Sequence, residues 1–523
     1  MEGGGDDVGN TTQQHPIPMA AGSRRLPNLL QSVNLKHVKL GYHYLITHFL
    51  TLLLIPFMAL ILVKASQTNP DDVLELWTHL TQYDSVGVLV CSAALVFVST
   101  VYFRSRPRPV YLVDFACFRA PDELRVPMSK FLECSRRAGD FDESALEFQR
   151  KILERSGMGD ETRAPAPMHS LSRWSPSVGM AREESELAMF GAVDALFKNM
   201  NSARVKPKDI GVLVVSCSTF SPTPSLSAMI VNRYKLRGNV KSFNLGGMGC
   251  SAGVIAVDLA RDILQVHGGT YALVVSTENI TQNWYFGNKK SMLITNCLFR
   301  MGAAAVLLSN KPSDRARSKY KLVHVVRTHR GADDRAFRCI KQEEDETGMA
   351  GFSLPRDLMT IAGDALKTNI TTLGPLVLHY QREAPLLRQP RRQKDNKLQI
   401  NQALYPRFQA GVRALLHPRW GKSRDRRGGE EPPASPRRRG SLVEASRMTL
   451  HRFGNVSASS IWYEVAYIES KGRMRKGDRV WQIALGSGFK CNSAVWVAVR
   501  DVEPSPGSAW KDCITRYPAQ LPP

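Results

Sequence analysis

A cysteine in a glycine-rich turn is the first residue whose position in this sequence suggests covalent chemistry. Cys250 lies in NLGGMGCSAGVIAVDLA, between a predicted strand end and a predicted helix at 251–267. A thiol at a helix N-terminus faces the positive end of the helix dipole and free backbone N–H groups, which favour the thiolate. The pattern is compatible with a nucleophile in an oxyanion-binding turn, although the turn by itself favours a structural role for the cysteine. The alternative is a small buried residue that fills a tight corner.

Two later segments carry further candidates. Asn455, in HRFGNVSASS, precedes an amphipathic helical pattern, and by itself it is typical of a helix N-cap. Gly486 and Gly488 follow an apolar strand pattern and predict a turn before another helix, which is a common feature of α/β proteins. Taken separately, neither segment specifies a reaction.

The elements around these candidates alternate between strands and helices. Short apolar, β-branched runs predict buried strands, and apolar residues spaced by three or four predict helices between them. The pattern predicts an α/β fold with mostly parallel strands. The predicted strands are 210–218, 271–278, 303–309 and 321–329, and the predicted helices are 224–237 and 251–267.

The first 104 residues differ from the rest of the chain. Residues 1–40 are polar and glycine-rich and predict a disordered tail. Two apolar runs follow, 45–63 and 86–103, and about 20 such residues can span a bilayer as a helix. Basic residues precede the first run and follow the second, so both ends are predicted in the cytosol. The sequence predicts a two-helix transmembrane hairpin within 41–104; two buried core helices are the alternative.

Composition and charge exclude several classes of protein. Hydrophobic residues make up 43% and charged residues 22% of the chain, which excludes disorder throughout. The net charge is +23, but residues 379–440 alone contain 16 Lys or Arg and 5 Asp or Glu, a net of +11. The remainder shows no interleaving of basic and aromatic residues, so no nucleic-acid partner is predicted. The nine cysteines have neither disulfide nor metal-ligand spacing, so no metal site is predicted.

Together, the motifs resemble those of the thiolase-fold condensing enzymes, and most closely the plant 3-ketoacyl-CoA synthases that elongate very-long-chain fatty acids. The resemblance covers about residues 36–378 and 442–518. The two N-terminal apolar runs also fit that family and distinguish it from the soluble chalcone-synthase group. The motifs are RPVYLVDF (108–115), NLGGMGCSAG (244–253), NWYFGN (283–288), NCLFRMG (296–302), HRFGN (451–455) and GSGFKCNSAVW (486–496).

The resemblance implies a five-layer αβαβα body of two similar halves, residues 105–315 and 316–518. It implies a Cys-His-Asn centre in which Cys250 takes the acyl group of a long-chain acyl-CoA as a thioester. Malonyl-CoA then decarboxylates and attacks this thioester, which gives 3-ketoacyl-CoA, CO2 and CoA without a cofactor. This acyltransferase reaction begins very-long-chain fatty acid elongation for wax, seed-lipid or sphingolipid precursors. A thiolate suits it as both nucleophile and leaving group.

The resemblance also assigns roles to other residues. Asn455 and an active-site His would hold the enolate oxygen. His329 and His451 match further family histidines linked to activity, although His451 is equally suited to orienting Asn455, four residues later. Gly486 and Gly488 would form a loop near the active centre.

The same resemblance implies a location and partners. It implies a homodimer anchored in the endoplasmic reticulum membrane, with a cytosolic catalytic body. That body would work with the reductase, dehydratase and enoyl reductase of an elongation complex.

The family's active-site His segment, similar to HFCIHAGGRAVID, is missing from this chain. In its place, about residues 380–440 form a basic, Pro- and Arg-rich stretch without periodicity. Reading possible codons of residues 405–433 one base later gives the family segment almost residue for residue. We interpret this stretch as out-of-frame translation, with the family's His encoded across Pro418; the shift gives the neighbouring His417 no place in the site. A genuine basic insert is the alternative.

As written, the chain is therefore expected to show little or no condensation. Two other functions stay open. One is a catalytically inactive membrane scaffold of an elongation complex. The other is a soluble polyketide-type condensing enzyme, which would need no apolar N-terminal hairpin.

Overall fold

The computed structural model describes residues 85–105, 107–170, 174–200, 205–355, 357–377 and 443–520, the backbone of 412–417, and also Ala59 and Val63. The chain divides into two units, Met1–Pro107 and Arg108–Pro523. The predicted tail at 1–40 lies outside the described residues, as does the apolar run 45–63 except for Ala59 and Val63. The basic stretch 380–440 also lies outside them, apart from 412–417.

The described part of the first unit is mainly one helix, α1 (Ser85–Ser105), which contains the predicted apolar run 86–103. Several of its large apolar side chains are exposed, for example Leu95 and Phe97. Within the described ranges, no helix combines the length and the hydropathy needed to cross a membrane.

The second unit contains the other elements. Its helices are α2 (Met128–Ala138), α3 (Glu143–Ser156), α4 (Val178–Asn199), α5 (Leu226–Tyr234), α6 (Ala252–Val266), α7 (Lys290–Leu298), α8 (Asp334–Arg338), α9 (Leu358–Val377), α10 (Glu444–Phe453) and α11 (Ser460–Ser470). Its strands are β1 (Tyr111–Cys117), β2 (Ile210–Ser216), β3 (Lys241–Leu245), β4 (Tyr271–Thr277), β5 (Ala303–Ser309), β6 (Tyr320–His329), β7 (Lys341–Glu344), β8 (Ala350–Ser353), β9 (Val412–His417), β10 (Arg479–Gly486) and β11 (Lys490–Ala498).

Nine strands form one sheet in the order β3–β2–β4–β5–β1–β6–β11–β10–β9. Only β2 pairs in parallel, with β3 and β4, and all other neighbours are antiparallel. The prediction of mostly parallel strands is therefore wrong. A continuous apolar run indicates that both faces of a strand are buried, but it does not indicate the direction of the strand. Here helices cover both faces of a largely antiparallel sheet.

The helices divide this sheet into two halves. Helix α4 packs on β1, β4 and β5, and α9 packs on β6 and β11. Helix α6 contacts β2 and β4 of one half and β10 and β11 of the other, and α11 contacts β1 and β10. The halves join edge to edge through the short β1–β6 pairing at Tyr111 and Leu112. The order of layers is thus α, β, α, β, α, as the resemblance implied.

A buried ion network joins the halves. Lys319 Nζ lies 2.7 Å from Asp114 Oδ1 on β1 and 2.8 Å from Glu469 Oε2 on α11. The Tyr320 hydroxyl donates to the other Glu469 oxygen at 3.0 Å. Both Lys319 and Glu469 are buried, so each charge depends on the others for compensation.

Candidate active site

Cys250 lies in the turn between β3 and α6, two residues before the first helical residue, Ala252. The turn requires glycine, because Gly247 and Gly249 have φ angles of +65° and +70°. A Cβ on Gly249 would lie 2.5 Å from the backbone nitrogen of Ser487. The glycines therefore allow the turn that contains Cys250 to pack directly against the turn between β10 and β11.

The surroundings of Cys250 act on its ionisation in opposite directions. Burial raises the pKa of the Cys250 thiol to about 11; a hydrogen bond with Ser457 lowers it and the charge of Glu278 raises it. Desolvation thus acts against the helix dipole, which was expected to favour the thiolate. Burial thus favours the neutral thiol, and a base that takes its proton would promote attack by the sulfur.

Asn455 follows α10 and is fixed by its backbone. Its N–H donates to the Leu298 carbonyl at 2.9 Å, and its carbonyl accepts from Arg300 N–H at 2.9 Å. The side-chain oxygen accepts at 2.9 Å from the N–H of Ser457, the first residue of a short 3-10 helix whose N-cap is Val456. Among the described residues the amide nitrogen has no acceptor. Because Asn455 lines the same cavity as Cys250, this nitrogen is available to a substrate oxygen.

Glu278, at the end of β4, adds a buried carboxylate to the site. One oxygen accepts from the N–H groups of Ser218 and Thr219 at 3.1 and 3.0 Å and from the Thr219 hydroxyl at 2.6 Å. The other accepts from the Ser457 hydroxyl at 3.0 Å. Sequence reasoning missed Glu278 and Ser457, which are 179 positions apart. The available signal was that the parallel strands β2 and β4 both end in polar residues at one sheet edge.

Cys250, Asn455, Glu278 and Ser457 line one cavity of about 450 Å³. Its remaining wall is mainly apolar, and its size is usual for a small-molecule site. The apolar lining residues are Ile280, Ile294, Phe299, Ile340, Phe352, Leu354, Pro355, Leu358, Met359, Leu485 and Phe489. A few polar groups lie beside the thiol, and the apolar wall lies beyond them. This arrangement suits a substrate with an apolar chain whose reactive end contacts the sulfur.

The segment with Gly486 and Gly488 connects β10 and β11 as an antiparallel hairpin, so the prediction of a helix after it is wrong. Its apolar run continues as a strand because both faces of the sheet are covered there. A Cβ on Gly486 would lie 2.8 Å from Ser251 N, and Gly488 has a φ of +92°. Ser487, between them, lines the cavity.

The structure does not bring His329 or His451 into the cavity. His329 pairs with Lys490 across β6 and β11, is exposed, and accepts from Gly331 N–H at 3.0 Å. His451 packs edge-on against Tyr517, with 3.2 Å between Nδ1 and the Tyr517 hydroxyl. No hydrogen bond joins His451 to Asn455 in the described part of the chain.

The structure describes a short part of the segment in which the family's histidine is missing. Pro418 lies outside the described residues. The backbone of β9 pairs antiparallel to β10, with His417 opposite Arg479 and Val412 opposite Ala484. His417 therefore lies at the end of β10 opposite the Gly486 turn and the nucleophile.

The described residues include neither a disulfide nor a group arranged to bind a metal ion. All nine cysteines fall within them, and each is a free thiol. No group of three or more His, Cys, Asp or Glu residues in these ranges could hold a metal ion.

This architecture is that of the thiolase-like condensing enzymes. A type III pentaketide synthase from Neurospora crassa matches with a TM-score of 0.53 over 74% of this chain and 99% of its own, at 17% identity. The family model for the FAE1/Type III polyketide synthase-like protein matches residues 102–389. A second model, for the 3-oxoacyl-[acyl-carrier-protein (ACP)] synthase III C terminal, matches residues 440–498.

Two relatives from Arabidopsis thaliana narrow the class. 3-Ketoacyl-CoA synthase 4 is 61% identical over 99% of this chain and 98% of its own length. 3-Ketoacyl-CoA synthase 9 is 58% identical over 95% of each. The chain belongs to the 3-ketoacyl-CoA synthases of the FAE1/Type III polyketide synthase-like family.

Proposed function

We propose that this chain condenses a long-chain acyl-CoA with malonyl-CoA to 3-ketoacyl-CoA, CO2 and CoA, as the first step of very-long-chain fatty acid elongation. The observation that carries the proposal is that Cys250 and Asn455 meet in one cavity with an apolar wall. The high identity to named 3-ketoacyl-CoA synthases supports it. The reaction as proposed uses no metal or other cofactor.

The proposed reaction has two stages. In the first, the Cys250 sulfur attacks the acyl-CoA carbonyl, a new thioester forms, and CoA leaves with a proton. In the second, malonyl-CoA loses CO2, and the resulting carbanion attacks the acyl-enzyme and releases Cys250. The Asn455 amide nitrogen donates a hydrogen bond to the malonyl thioester oxygen, where negative charge develops.

Burial of Cys250 favours the neutral thiol, so in the proposed reaction the missing histidine would act as its base. Without a base beside the thiol, acylation is slow, and without a second donor the enolate is less stable. The two family models leave residues 390–439 unmatched between them, which supports the interpretation of this stretch as out-of-frame translation. We infer that the chain as written is a weak or inactive enzyme and that a frame-restored chain is active.

We place the protein in the endoplasmic reticulum membrane, with its catalytic body in the cytosol. The apolar runs 45–63 and 86–103 support a hairpin anchor, and the exposed apolar side chains of α1 suit lipid better than water. The elongation product is a 3-ketoacyl-CoA, so its partners would be a reductase, a dehydratase and an enoyl reductase. Extraction with alkaline carbonate tests the anchor: release into the supernatant would contradict it.

We further propose a homodimer that forms through β3. This strand is at one end of the sheet, and Lys241, Ser242 and Phe243 are exposed. An exposed edge has unpaired N–H and C=O groups that a second copy can satisfy. Because β3 leads into the turn of Cys250, such pairing would also support the active site.

The function is tested with the frame-restored full chain in microsomes, supplied with a long-chain acyl-CoA and radiolabelled malonyl-CoA. We expect labelled 3-ketoacyl-CoA and, without malonyl-CoA, an acyl group that mass spectrometry maps to Cys250. The matched control is Cys297→Ala, a buried cysteine outside the cavity lining. An acyl group on another side chain would overturn the assignment. Lack of activity even after frame restoration would favour the inactive scaffold.

A further inference from the structure

Ile340 lies in the cavity wall with a backbone conformation that β-branched residues rarely adopt. Its φ is +67°. It comes two residues after α8 ends, and Cys339 caps that helix. Glycine is the common residue in a left-handed conformation after a helix, because a side chain there strains the backbone. An isoleucine at such a position suggests that its side chain is needed.

The Ile340 side chain lies between the cavity and a buried cluster. It lines the cavity and packs against the cluster that contains Ile361, Leu485 and Phe489. Leu485 and Phe489 flank the turn that touches the turn of Cys250 at Gly249. Ile340 is thus part of the apolar wall that leads to Cys250.

Backbone contacts on both sides of Ile340 restrict movement of this part of the cavity wall. On one side, Cys339 N–H donates to the Ala336 carbonyl at 3.3 Å. On the other, Ile340 leads into the β7–β8 hairpin, whose Phe352 and Gln342 also line the cavity. Leu354 N–H, just after the hairpin, donates to the Ser291 carbonyl of α7 at 3.2 Å. The free space here therefore depends on the side chain at 340.

We propose that Ile340 determines acyl-chain specificity: its strained backbone holds an apolar side chain in the cavity and limits the length of acyl chain that fits. The inference rests on the proposed function, because it takes the cavity to be the acyl site. It adds a specificity residue that neither the motifs nor the catalytic contacts identify.

The test measures how well acyl-CoAs protect Cys250 from alkylation, which requires no turnover. The full chain in detergent is treated with iodoacetamide in the presence of saturated acyl-CoAs that differ in length by two methylenes, and mass spectrometry quantifies modification of Cys250. The variants are Ile340→Gly, Ile340→Ala and the conservative Ile340→Val. The control is Lys235→Gly, since Lys235 also has a positive φ, of +49°, but is exposed and does not line the cavity.

We expect the chain length that protects best to increase in Ile340→Gly and Ile340→Ala, with about a tenfold gain for two newly admitted methylenes. Ile340→Val should shift the optimum less, and Lys235→Gly should leave it unchanged. Ile340→Gly should also unfold at a higher temperature than Ile340→Ala, since glycine relieves the strain. An unchanged length preference in folded Ile340→Ala and Ile340→Val overturns the inference. If no acyl-CoA protects Cys250 in the unmodified chain, the acyl site itself is refuted, and the inference with it.

Discussion

The Ser457 hydroxyl donates a hydrogen bond to Glu278 Oε2 at 3.0 Å, between residues 179 positions apart in the chain. Ser457 is fully buried and has a φ of +51°, a rare conformation for a residue other than glycine. Its N–H also holds the side-chain oxygen of Asn455. One strained serine therefore connects the end of β4, the amide of Asn455 and the thiol of Cys250.

This connection predicts how mutations change the reactivity of Cys250. The charge of Glu278 raises the pKa of the thiol, so Glu278→Gln should lower that pKa. The Ser457 side chain lowers the pKa of the thiol, so Ser457→Ala should raise it. Alkylation near pH 8 depends on the thiolate fraction, about tenfold for each pKa unit. Glu278→Gln should therefore react faster and Ser457→Ala slower, while the exposed Glu186→Gln should match the unmodified chain. Equal rates in all four proteins would contradict the connection.

Restoring the reading frame across residues 380–440 should restore condensation. In the proposed reaction the missing histidine would supply a base for Cys250 and a donor for the enolate, and one such donor is worth about 10²–10³ in rate. The measurement compares elongation by the frame-restored chain and the chain as written. Both should be shown by near-UV circular dichroism to be folded. Comparable turnover would show that the written chain is a complete enzyme.

In the frame-restored chain, Asn455→Ala should lower kcat by about 10²–10³, because a donor to the enolate is lost. Acylation of Cys250 should continue, since Asn455 serves the malonyl step. Single-turnover assays of acyl transfer and of malonyl-CoA decarboxylation separate the two stages. Asn232→Ala, at an exposed position, is the control. A loss of acylation equal to the loss of decarboxylation would argue against this division of roles.

Phe243→Asp should weaken the proposed dimer. A carboxylate on the β3 edge would face its own copy across the pairing, and like charges in that position are destabilising. Light scattering after size-exclusion chromatography in detergent would show a shift toward monomer. Phe337→Asp, also at an exposed phenylalanine, should leave the mass unchanged. A stable dimer in Phe243→Asp would place the interface elsewhere.

Lys319→Met should destabilise the fold by about 3–5 kcal/mol, since it leaves the carboxylates of Asp114 and Glu469 without their cation in a buried site. Chemical denaturation monitored by tryptophan fluorescence measures the free energy of unfolding. Arg335→Met removes the exposed ion pair with Asp357 and should cost at most about 1 kcal/mol. Similar losses of unfolding free energy in both variants would show that burial does not determine how much the Lys319 network stabilises the fold.

The sequence by itself determined the local features of this protein. The apolar runs predicted the strands β2, β4, β5 and β6 within two residues at each end. The motifs around Cys250, Asn455 and Gly486 identified the family and indicated Cys250 as the candidate nucleophile, because those turns need particular residue types in a short stretch. The break in the family pattern at about 380–440 was also visible only as sequence.

Only the tertiary structure decided what depends on distant residues meeting. The direction of a strand depends on how the connecting chain returns to the sheet. Apolar runs therefore could not distinguish an antiparallel sheet from a parallel one. The pKa of Cys250 depends on burial and on Glu278, and neither can be read from the residues beside it. His451 lies in the HRFGN motif and His329 matches a family histidine, but both lie outside the cavity. Ser457 and Glu278 line it, because side-chain direction is set by packing between elements that are far apart in the chain.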